Sequence, residues 1–269
     1  MQHSFVKLLL VTVIISFVSC TAKKIQSGGN DTVKVMTYNV HHCNPPEKQG
    51  VIDVEATAAV IKSQDADIVA VQEVDVNTGR SGNINQAELL ALKAGYKSFY
   101  FAKAMDYDGG QYGILILSKY PLANTKTYML PRAEGNNSGE PRVLAAATVA
   151  LPGGRTVLFG CTHLEAYNKE SRLLQIKEIN RIAGASSIPF IVAGDFNARE
   201  GSEVINTLDA HFTRTCNNCP ATFSEGKAGG VIDFIASAPK DAFNVVSHKV
   251  IPDRKTSDHM PVVAELQFK

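Results

Sequence analysis

The 269-residue sequence contains no tryptophan, shows no excess of one charge sign and has no apolar run long enough to span a membrane. A spanning helix needs roughly 20 apolar residues, and the longest mostly apolar run covers only residues 8–18. Lys and Arg number 27 against 26 Asp and Glu. A dedicated duplex-DNA binder usually carries a basic stripe, and many single-strand binders stack bases on aromatic rings, so the composition argues against both.

Cysteine is scarce, with one of the five at position 20 and four further along the chain. The sequence CNNCP carries Cys216 and Cys219, a spacing found in zinc sites, but no second CxxC supplies the remaining ligands. In an oxidising compartment a disulfide within this small loop is expected. Cys43 and Cys161 are then left, and free thiols remain an alternative for all four.

The N-terminus has the pattern of an export signal. Lys7 precedes the apolar run, which ends on Ser19 and Cys20, so residues 1–20 are predicted to be a signal peptide. FVSC is similar to a bacterial lipoprotein cleavage site, which predicts lipidation of Cys20, membrane anchoring and a polar tether over residues 21–32. An ordinary secretory signal with an incidental cysteine is the alternative. Either way we expect an exported protein in the periplasm or at the cell surface.

From residue 33 onward, apolar runs of strand length alternate with stretches of helical period. Helices are predicted over residues 51–64, with Val51 on the buried face, and over 84–95 and 168–184. Strands buried on both faces lose polar alternation, as IVAV and FIVA do, which favours an α/β domain of two stacked sheets with outer helices over residues 33–269. The predicted strands are VKVMTYNV, DIVAVQEV, YGILILSKYPL, RVLAAATVAL, RTVLFGCTHL, IPFIVAGDFN, VIDFIAS, FNVVSHKVI and MPVVAELQF.

Polar side chains follow many of these strands where each one ends. A single acid at a strand end is most often a turn or helix cap, but eight such residues together predict a shared site. Their carboxylate and amide oxygens suit Mg²⁺, with Mn²⁺ or Ca²⁺ as alternatives, whereas zinc would favour more His or Cys. The eight are Asn39, Glu73, His163, Asp195, Asn197, Asp233, Asp258 and His259.

The ordered series TYN, QEVD, YG with LSKYP, TH, GDFN, IDFI and SDH with PV resembles the endonuclease/exonuclease/phosphatase superfamily, which also includes DNase I. The resemblance covers residues 33–268. It implies a four-layered α/β/β/α sandwich of two packed mixed β-sheets flanked by helices. It also implies a divalent-metal-dependent hydrolase of phosphoesters, with its active site where the strand ends of the two sheets meet.

The resemblance also implies a role for each of the eight residues. Glu73 would be the chief metal ligand, with Asn39 and Asp258 close by. Asp195 would orient and deprotonate the attacking water, and Asn197 would donate to the phosphoryl oxygens. The catalytic histidines follow in the same way: His259 would contact a phosphoryl oxygen or help the leaving group, Asp233 would hold the other ring nitrogen of His259, and His163 would flank the phosphate.

Five further residues are candidates with ordinary alternatives. Tyr112 could hydrogen-bond into the site or simply pack against a strand. Arg142 could bind a phosphate through two hydrogen bonds or form an ion pair at a strand edge, and Arg80 could reach substrate or stay solvated. Arg172 and Gln175 lie three residues apart on one helix face and are predicted to support the catalytic strands.

Three functions remain open from the sequence. The favoured one is a phosphodiesterase or phosphatase acting on a small phosphate or a lipid- or sugar-linked one. The second keeps the same chemistry but acts on DNA or RNA as an endonuclease or exonuclease. The third is a surface binding module without catalysis, which would be expected to lack some of the metal and base positions. The oligomeric state is left open.

Overall fold

The computed structural model describes residue 1 and residues 31–135, 139–223 and 230–269. The predicted signal peptide, the lipidation site Cys20 and the tether up to residue 30 lie outside the described residues. Within the described part, no helix is long and apolar enough to cross a membrane. Cys216 and Cys219 are joined in a disulfide, as expected, while Cys43 and Cys161 are buried free thiols.

Twelve strands form two sheets of six strands in the described residues. The strands of the first half are β1 (Thr32–Asn39), β2 (Ile68–Val76), β3 (Ser98–Tyr107), β4 (Gly110–Ser118), β5 (Leu122–Met129) and β6 (Val143–Ala150). Those of the second half are β7 (Thr156–His163), β8 (Phe190–Asp195), β9 (Thr213–Arg214), β10 (Asp233–Ala238), β11 (Phe243–Val250) and β12 (Val262–Phe268).

Four α-helices flank the sheets in the described residues: α1 (Val54–Gln64), α2 (Gln86–Ala94), α3 (Lys169–Gly184) and α4 (Glu203–His211). Each begins at a residue whose side chain accepts a hydrogen bond from a backbone N–H of the first turn, which satisfies a donor that the helix cannot pair internally. These capping residues are Asp53, Asn85, Asn168 and Ser202.

Both sheets are mixed. The first has the order β11-β12-β1-β2-β4-β3, and the second β5-β6-β7-β8-β10-β9. In each sheet one central pair is parallel, β1 with β2 and β7 with β8, and the other pairs are antiparallel. The ends of β1 and β8 meet across the two sheets, where Asn39 hydrogen-bonds to Asp195. Strand β10 begins at the same edge, beside the end of β8.

Three apolar clusters define four layers. The central one packs the inner faces of the sheets together through residues such as Ile116 and Phe159. A second packs α1 and α2 on the first sheet, with Ile61 and Leu90 at its centre, and a third packs α3 and α4 on the second sheet. The predicted α/β/β/α sandwich is confirmed.

The sequence patterns missed several elements. Strands β3 and β5 lie at sheet edges, where many side chains are exposed and the apolar pattern is weak. Strand β9 has two residues, and the short helix α4 was not predicted. Val51, expected on a buried helix face, is 47% exposed because Asp53 caps α1, so the helix starts at Val54.

Gly194 allows strands β7 and β8 to approach closely just before the residues that carry chemistry. A Cβ at this position would lie 2.0 Å from the backbone oxygen of Thr162. Gly194→Ala is therefore expected to lower the free energy of unfolding by at least about 1–3 kcal/mol, the usual cost of overpacking, measured by thermal and urea unfolding. Gly184→Ala is the matched control because its Cβ would meet nothing within 4 Å; equal melting temperatures for the two variants would contradict this account.

Candidate active site

A cavity of about 340 Å³ opens where the strand ends of the two sheets meet. A larger groove of about 870 Å³ between α3 and α4 shares none of its lining residues. Most of the residues predicted from the sequence line the smaller cavity. They are Glu73, Arg80, Tyr112, Arg142, His163, Asp195, Asn197, Asp258 and His259.

Glu73 is aimed into the cavity by a break in the pairing of β2 with β4. The register shifts between Val71 and Val74, and Glu73 itself has a φ of 58°. An irregularity of this kind redirects a side chain that regular alternation would point elsewhere, and a positive φ in a residue other than glycine is often found at functional sites. The irregular backbone of β2 thus places the Glu73 carboxylate in the cavity.

Asn39, at the end of β1, joins the two sheets. Its amide nitrogen donates to Glu73 Oε1 at 2.9 Å and to Asp195 Oδ2 at 3.1 Å. Its amide oxygen accepts the backbone N–H of His41 at 3.1 Å. In this orientation Asn39 fixes both carboxylates as a donor, and its role as a metal ligand stays a prediction.

Three residues are neighbours across the second sheet. His163 at the end of β7 pairs in register with Asp195 at the end of β8, and Asp195 pairs with Asp233 at the start of β10. The His163 Nε2 to Asp195 Oδ2 distance is 3.5 Å. Asp195 Oδ1 accepts the backbone N–H of Asn197 at 2.8 Å, which fixes the plane of the carboxylate.

His259 and Asp233 form a buried hydrogen-bonded pair. The Nδ1 atom of His259 lies 2.9 Å from Asp233 Oδ2, which also accepts the Thr222 hydroxyl at 2.6 Å. The Phe223 ring packs on the imidazole with a centroid distance of 4.6 Å. The other ring nitrogen, Nε2, lies 3.7 Å from Asp195 Oδ2, so the pair presents one nitrogen to the cavity.

Asp195, Glu73 and His259 differ in their electrostatics. Burial, reinforced by the charge of Asp233, raises the pKa of Asp195 to about 7. Burial also raises the pKa of Glu73. For His259, burial alone would lower the pKa, but the charges of Asp233 and Asp195 outweigh it and raise the pKa to about 10. The site therefore combines a carboxyl that titrates near neutrality with a cationic imidazole.

His163 is neutral by contrast. Burial and the adjacent Arg142 guanidinium hold the pKa of His163 well below its ordinary value. Arg142 Nη1 lies 3.1 Å from His163 Nδ1, and its Nη2 lies 2.8 Å from Glu140. If Arg142 donates to Nδ1, the proton of His163 is on Nε2 and faces Asp195. Arg142 thus lines the cavity, where a phosphate could reach it, and also forms an ion pair with Glu140.

The remaining residues of the predicted set are also close to the cavity. Asn197 has a φ of 46° and donates its side-chain amide to the carbonyl of Leu164 at 3.0 Å. Asp258 lines the cavity beside Ser257, whose hydroxyl donates to the carbonyl of Asn39 at 2.7 Å and lies 3.3 Å from Asp258 Oδ1. The SDH segment is thereby tied to the end of β1.

Arg80 is held more firmly than the sequence suggested. Its Nε and Nη2 donate to the two oxygens of Asp75 at 2.7 and 2.8 Å. Its guanidinium also lies over the rings of Tyr107 and Tyr112. Tyr112 is buried, which raises its pKa well above the ordinary value. Arg80 still lines the cavity, so substrate binding by Arg80 stays a prediction.

The Asp75 carboxylate makes an ion pair whose loss should reduce stability at neutral pH. Burial by itself would raise the pKa of Asp75, but hydrogen bonds from Arg80, Ser81 and Thr78 lower it below the usual value. Asp75→Asn is expected to cost roughly 1.5–3 kcal/mol of unfolding free energy, typical for a charged hydrogen bond, as measured by urea unfolding at pH 7.

The pH dependence of this effect has a definite sign. Because the folded-state pKa of Asp75 is depressed, its contribution is complete above the unfolded value of about 3.9 and is lost as pH falls through the folded value. The difference between wild type and Asp75→Asn should therefore shrink only in strong acid. A difference that already shrinks well above the unfolded value would contradict the assignment. The exposed residue Asp106 supplies the matched control, Asp106→Asn.

Arg172 and Gln175 brace the segment that follows His163. Arg172 donates to the carbonyls of Glu165 and Ala166 at 2.6 and 2.7 Å. The Gln175 side chain accepts the backbone N–H of Glu165 at 2.9 Å and donates to the carbonyl of Pro131. Both contact the chain that leaves β7, and their support of the catalytic strands stays a prediction.

Several residues of the site were not found from the sequence. Thr222, Phe223 and Ser257 hold the His259 pair and the SDH segment, and Asp75 holds Arg80. Thr222 and Phe223 lie in a loop without a motif, so only the fold brings them to the pair. Asp75 did carry a signal, as the second acid of QEVD, two residues after Glu73.

The donors around the cavity fit a hard divalent cation. Glu73, Asp195, Asp233 and Asp258 bring four carboxyl groups to one region, and Asp195, Asp233 and His259 offer ligand atoms within 4.8 Å of one another. No Lys or Arg is within ion-pair distance of Glu73 among the described residues; its nearest basic group is His42, at 4.0 Å. Oxygen-rich, anionic and incompletely neutralised sites of this kind bind Mg²⁺ and related ions.

A sandwich of this type with carboxylates and histidines at the strand ends defines a class of hydrolases that cleave phosphoester bonds with divalent metals. The chain belongs to the endonuclease/exonuclease/phosphatase family, whose sequence model matches residues 36–259. It is accordingly a phosphoester hydrolase.

Solved structures share the fold. An endonuclease/exonuclease/phosphatase from Beutenbergia cavernae has 26% identity and a TM-score of 0.73, over 88% of this chain and 72% of its own. A family protein from Bacteroides thetaiotaomicron has 18% identity and a TM-score of 0.75, over 88% and 98%. A mannosyl-6-phosphatase from the same species has 17% identity and a TM-score of 0.69, over 88% and 100%.

Proposed function

We propose that this protein is a divalent-metal-dependent phosphodiesterase or phosphatase that uses an Asp195-activated water and the Asp233–His259 pair on a small phosphate or a lipid- or sugar-linked one. The observation that carries the proposal is the convergence of Glu73, Asp195 and His259 through Asn39. The Asn39 amide donates to both carboxylates and lies 3.5 Å from His259 Nε2. The three groups thus surround one position in the cavity.

Asp195 has the geometry and pKa of a general base. Its Oδ1 accepts the backbone N–H of Asn197, and its Oδ2, which also accepts the Asn39 amide, is the oxygen that would take a proton from the attacking water. A base works best when its pKa is near the working pH, and the pKa of Asp195 is raised to about 7. His163 Nε2 beside the same oxygen can orient the water or a phosphoryl oxygen.

His259 is the complementary group. With a pKa of about 10 it is protonated at neutral pH and can donate from Nε2 to a phosphoryl oxygen or to the leaving group. Asp233 acts through His259 by holding Nδ1 and balancing the imidazolium charge. Thr222 in turn fixes Asp233, so the donor direction of His259 is set before substrate binds.

Glu73 and Asp258, with Asn39 alongside, would hold the divalent cation. A bound cation supplies charge stabilisation at the phosphoryl oxygens and favours formation of hydroxide from water. Asn197 and Arg142 would contact the remaining phosphoryl oxygens from the second sheet. Mg²⁺ is the ion that we propose, since its sites typically use one or two protein carboxylates.

The substrate class is supported by the size and charge of the cavity. A volume of about 340 Å³ suits a small ligand or headgroup. Removing residues 1–20 takes away only Lys7 among the charged residues, which leaves 26 basic against 26 acidic residues and no net charge to attract a nucleic acid. One protein with the same fold is a mannosyl-6-phosphatase, which agrees with a sugar phosphate.

A substrate panel tests the proposal directly. Sugar phosphates, inositol phosphates, a choline phospholipid, a synthetic diester, plasmid DNA and single-stranded DNA and RNA would be incubated with Mg²⁺ or with EDTA. We expect turnover of a small or lipid-linked ester with Mg²⁺, loss of turnover in EDTA, and slower cleavage of nucleic acids. Faster cleavage of DNA or RNA would identify the protein as a nuclease. The absence of turnover with every ester would favour a binding module.

Export and anchoring are a separate proposal that depends on the sequence pattern FVSC. We propose that residues 1–20 direct export and that Cys20 is acylated. Labelled palmitate should enter the wild-type protein in a bacterial host, and the protein should sediment with membranes. Cys20→Ala should lose both properties, while Cys43→Ala, which changes a cysteine of the folded domain, should retain them; label retained in Cys20→Ala would exclude the proposal.

A further inference from the structure

A second cluster of metal-binding side chains lies apart from the catalytic cavity. The sulfur atoms of Cys216 and Cys219 and a ring nitrogen of His248 all lie within 4.8 Å of one another. None of the three lines the catalytic cavity. The two cysteines follow strand β9, whereas His248 is in strand β11. The cluster therefore joins the edge of one sheet to the edge of the other.

His248 is oriented as a metal-ligating histidine would be. Its Nδ1 lies 2.9 Å from the hydroxyl of Thr215. Its Nε2 is buried and has no hydrogen-bond partner in the described part of the chain. Burial also lowers the pKa of His248, which favours the neutral imidazole that a metal ligand requires. When Nδ1–H donates to Thr215, Nε2 keeps a free lone pair, which is the arrangement that second-sphere hydrogen bonds impose on metal-bound histidines.

A buried nitrogen without a partner normally needs an explanation, because an unmade hydrogen bond in the interior is costly. The two cysteine sulfurs, which lie within 4.8 Å of a nitrogen of the same ring, provide one. Two thiolates and one imidazole match the ligands of zinc, and three protein ligands leave the fourth tetrahedral position to water. Glu200 Oε1, at 3.9 Å from Cys219 Sγ, is a further oxygen donor at the edge of the cluster.

We propose that Cys216, Cys219 and His248 form a second metal site, for a thiophilic ion such as Zn²⁺, when the disulfide is reduced. Reduction of the disulfide is a thiol–disulfide exchange. A dithiol reductant supplies two electrons and two protons and becomes a disulfide, and the Cys216–Cys219 bond breaks to give two thiols. Zn²⁺ then displaces the two thiol protons. The oxidised protein holds a disulfide in the same place and cannot bind the ion.

The selectivity of this site follows from its sulfur ligands. The catalytic cavity offers oxygen and nitrogen donors and lacks cysteine among its described lining residues. The other two thiols, Cys43 and Cys161, are fully buried, and burial raises the pKa of each to about 12. Any thiolate–metal signal from the folded protein must therefore come from Cys216 and Cys219.

Cobalt is a spectroscopic probe for the proposed site. The chain from residue 21 onward would be treated with chelator, reduced with a dithiol, freed of reductant under argon and titrated with Co²⁺ in excess Mg²⁺. We expect thiolate-to-cobalt charge-transfer absorption that saturates at one equivalent, disappears on addition of Zn²⁺, and is missing from the oxidised protein. Reduced wild-type protein without this absorption would overturn the proposal, and this result needs no variant.

Two substitutions then identify the ligands. His248→Gln should weaken Co²⁺ binding at least about tenfold, since even outer-shell losses cost 10- to 100-fold, and Cys219→Ser should remove the charge-transfer absorption. His211→Gln, at the exposed end of α4, is the matched control and should leave binding unchanged. Oxidised His248→Gln should melt like oxidised wild type, which verifies its fold. Equal Co²⁺ affinity for His248→Gln and His211→Gln would exclude His248 as a ligand.

Discussion

Replacing Asp195 by asparagine should lower kcat by about 10²- to 10⁴-fold, the usual contribution of a general base, while the fold is retained. The amide oxygen of the variant can replace Oδ1 as the acceptor of the Asn197 N–H, at 2.8 Å in the wild type. The amide NH2 then takes the place of Oδ2, so the hydrogen bond from the Asn39 amide, at 3.1 Å in the wild type, is lost. The new side chain cannot accept the proton of the attacking water. The measurement is steady-state hydrolysis of the best ester from the substrate panel, together with the melting temperature.

The control for this substitution is Asp241→Asn, which makes the same chemical change at an exposed position just before β11. It should have wild-type kcat. In the wild type, the pH profile of kcat/KM should rise with the ionisation of the base, and Asp195→Asn should lose that limb together with its activity. A variant with wild-type kcat would remove Asp195 from the mechanism.

Replacing Glu73 by glutamine should lower activity by a similar factor, but the loss should arise from weaker binding of Mg²⁺. Glu73 is the carboxylate aimed into the cavity by the break in β2, and among the described residues it has no Lys or Arg partner. We expect weaker Mg²⁺ binding, by at least about 10- to 100-fold since even the partners of metal ligands contribute that much. The measurement is the Mg²⁺ concentration that gives half-maximal activity, supported by calorimetric titration.

Glu88→Gln, at an exposed position in α2, is the matched control. It should leave the Mg²⁺ requirement unchanged. If Glu73→Gln lowered activity without changing the Mg²⁺ dependence, Glu73 would act on substrate and not through the cation. If neither quantity changed, the proposed cation site would be wrong.

The strand patterns predicted the layers of the fold because burial on both faces leaves long apolar runs such as IVAV and FIVA. They failed at β3 and β5, since edge strands expose one face and one backbone edge to water and need no such runs. Helix α4 was missed although Ser202 caps it. The helix has only nine residues, and the polar turn after GDFN precedes it.

The site was predictable where chemistry coincides with a strand end. Asp195 and His163 are neighbours because parallel strands β7 and β8 end in register. By contrast, Thr222 approaches Asp233 only through tertiary packing of a loop. The disulfide was expected from the CNNC spacing, but His248 was not associated with it, because 28 residues and a change of sheet lie between it and Cys219.

Crystals grown with Mn²⁺ and inorganic phosphate would test most directly whether the scattered polar strand ends form one catalytic centre. Anomalous scattering should place the ion within about 2.5 Å of a Glu73 carboxylate oxygen. The phosphate should lie between the ion and His259 Nε2, with Asp195 on the side from which water attacks. An ion and phosphate bound away from Glu73, Asp195 and His259, with the cavity containing only water, would contradict the account.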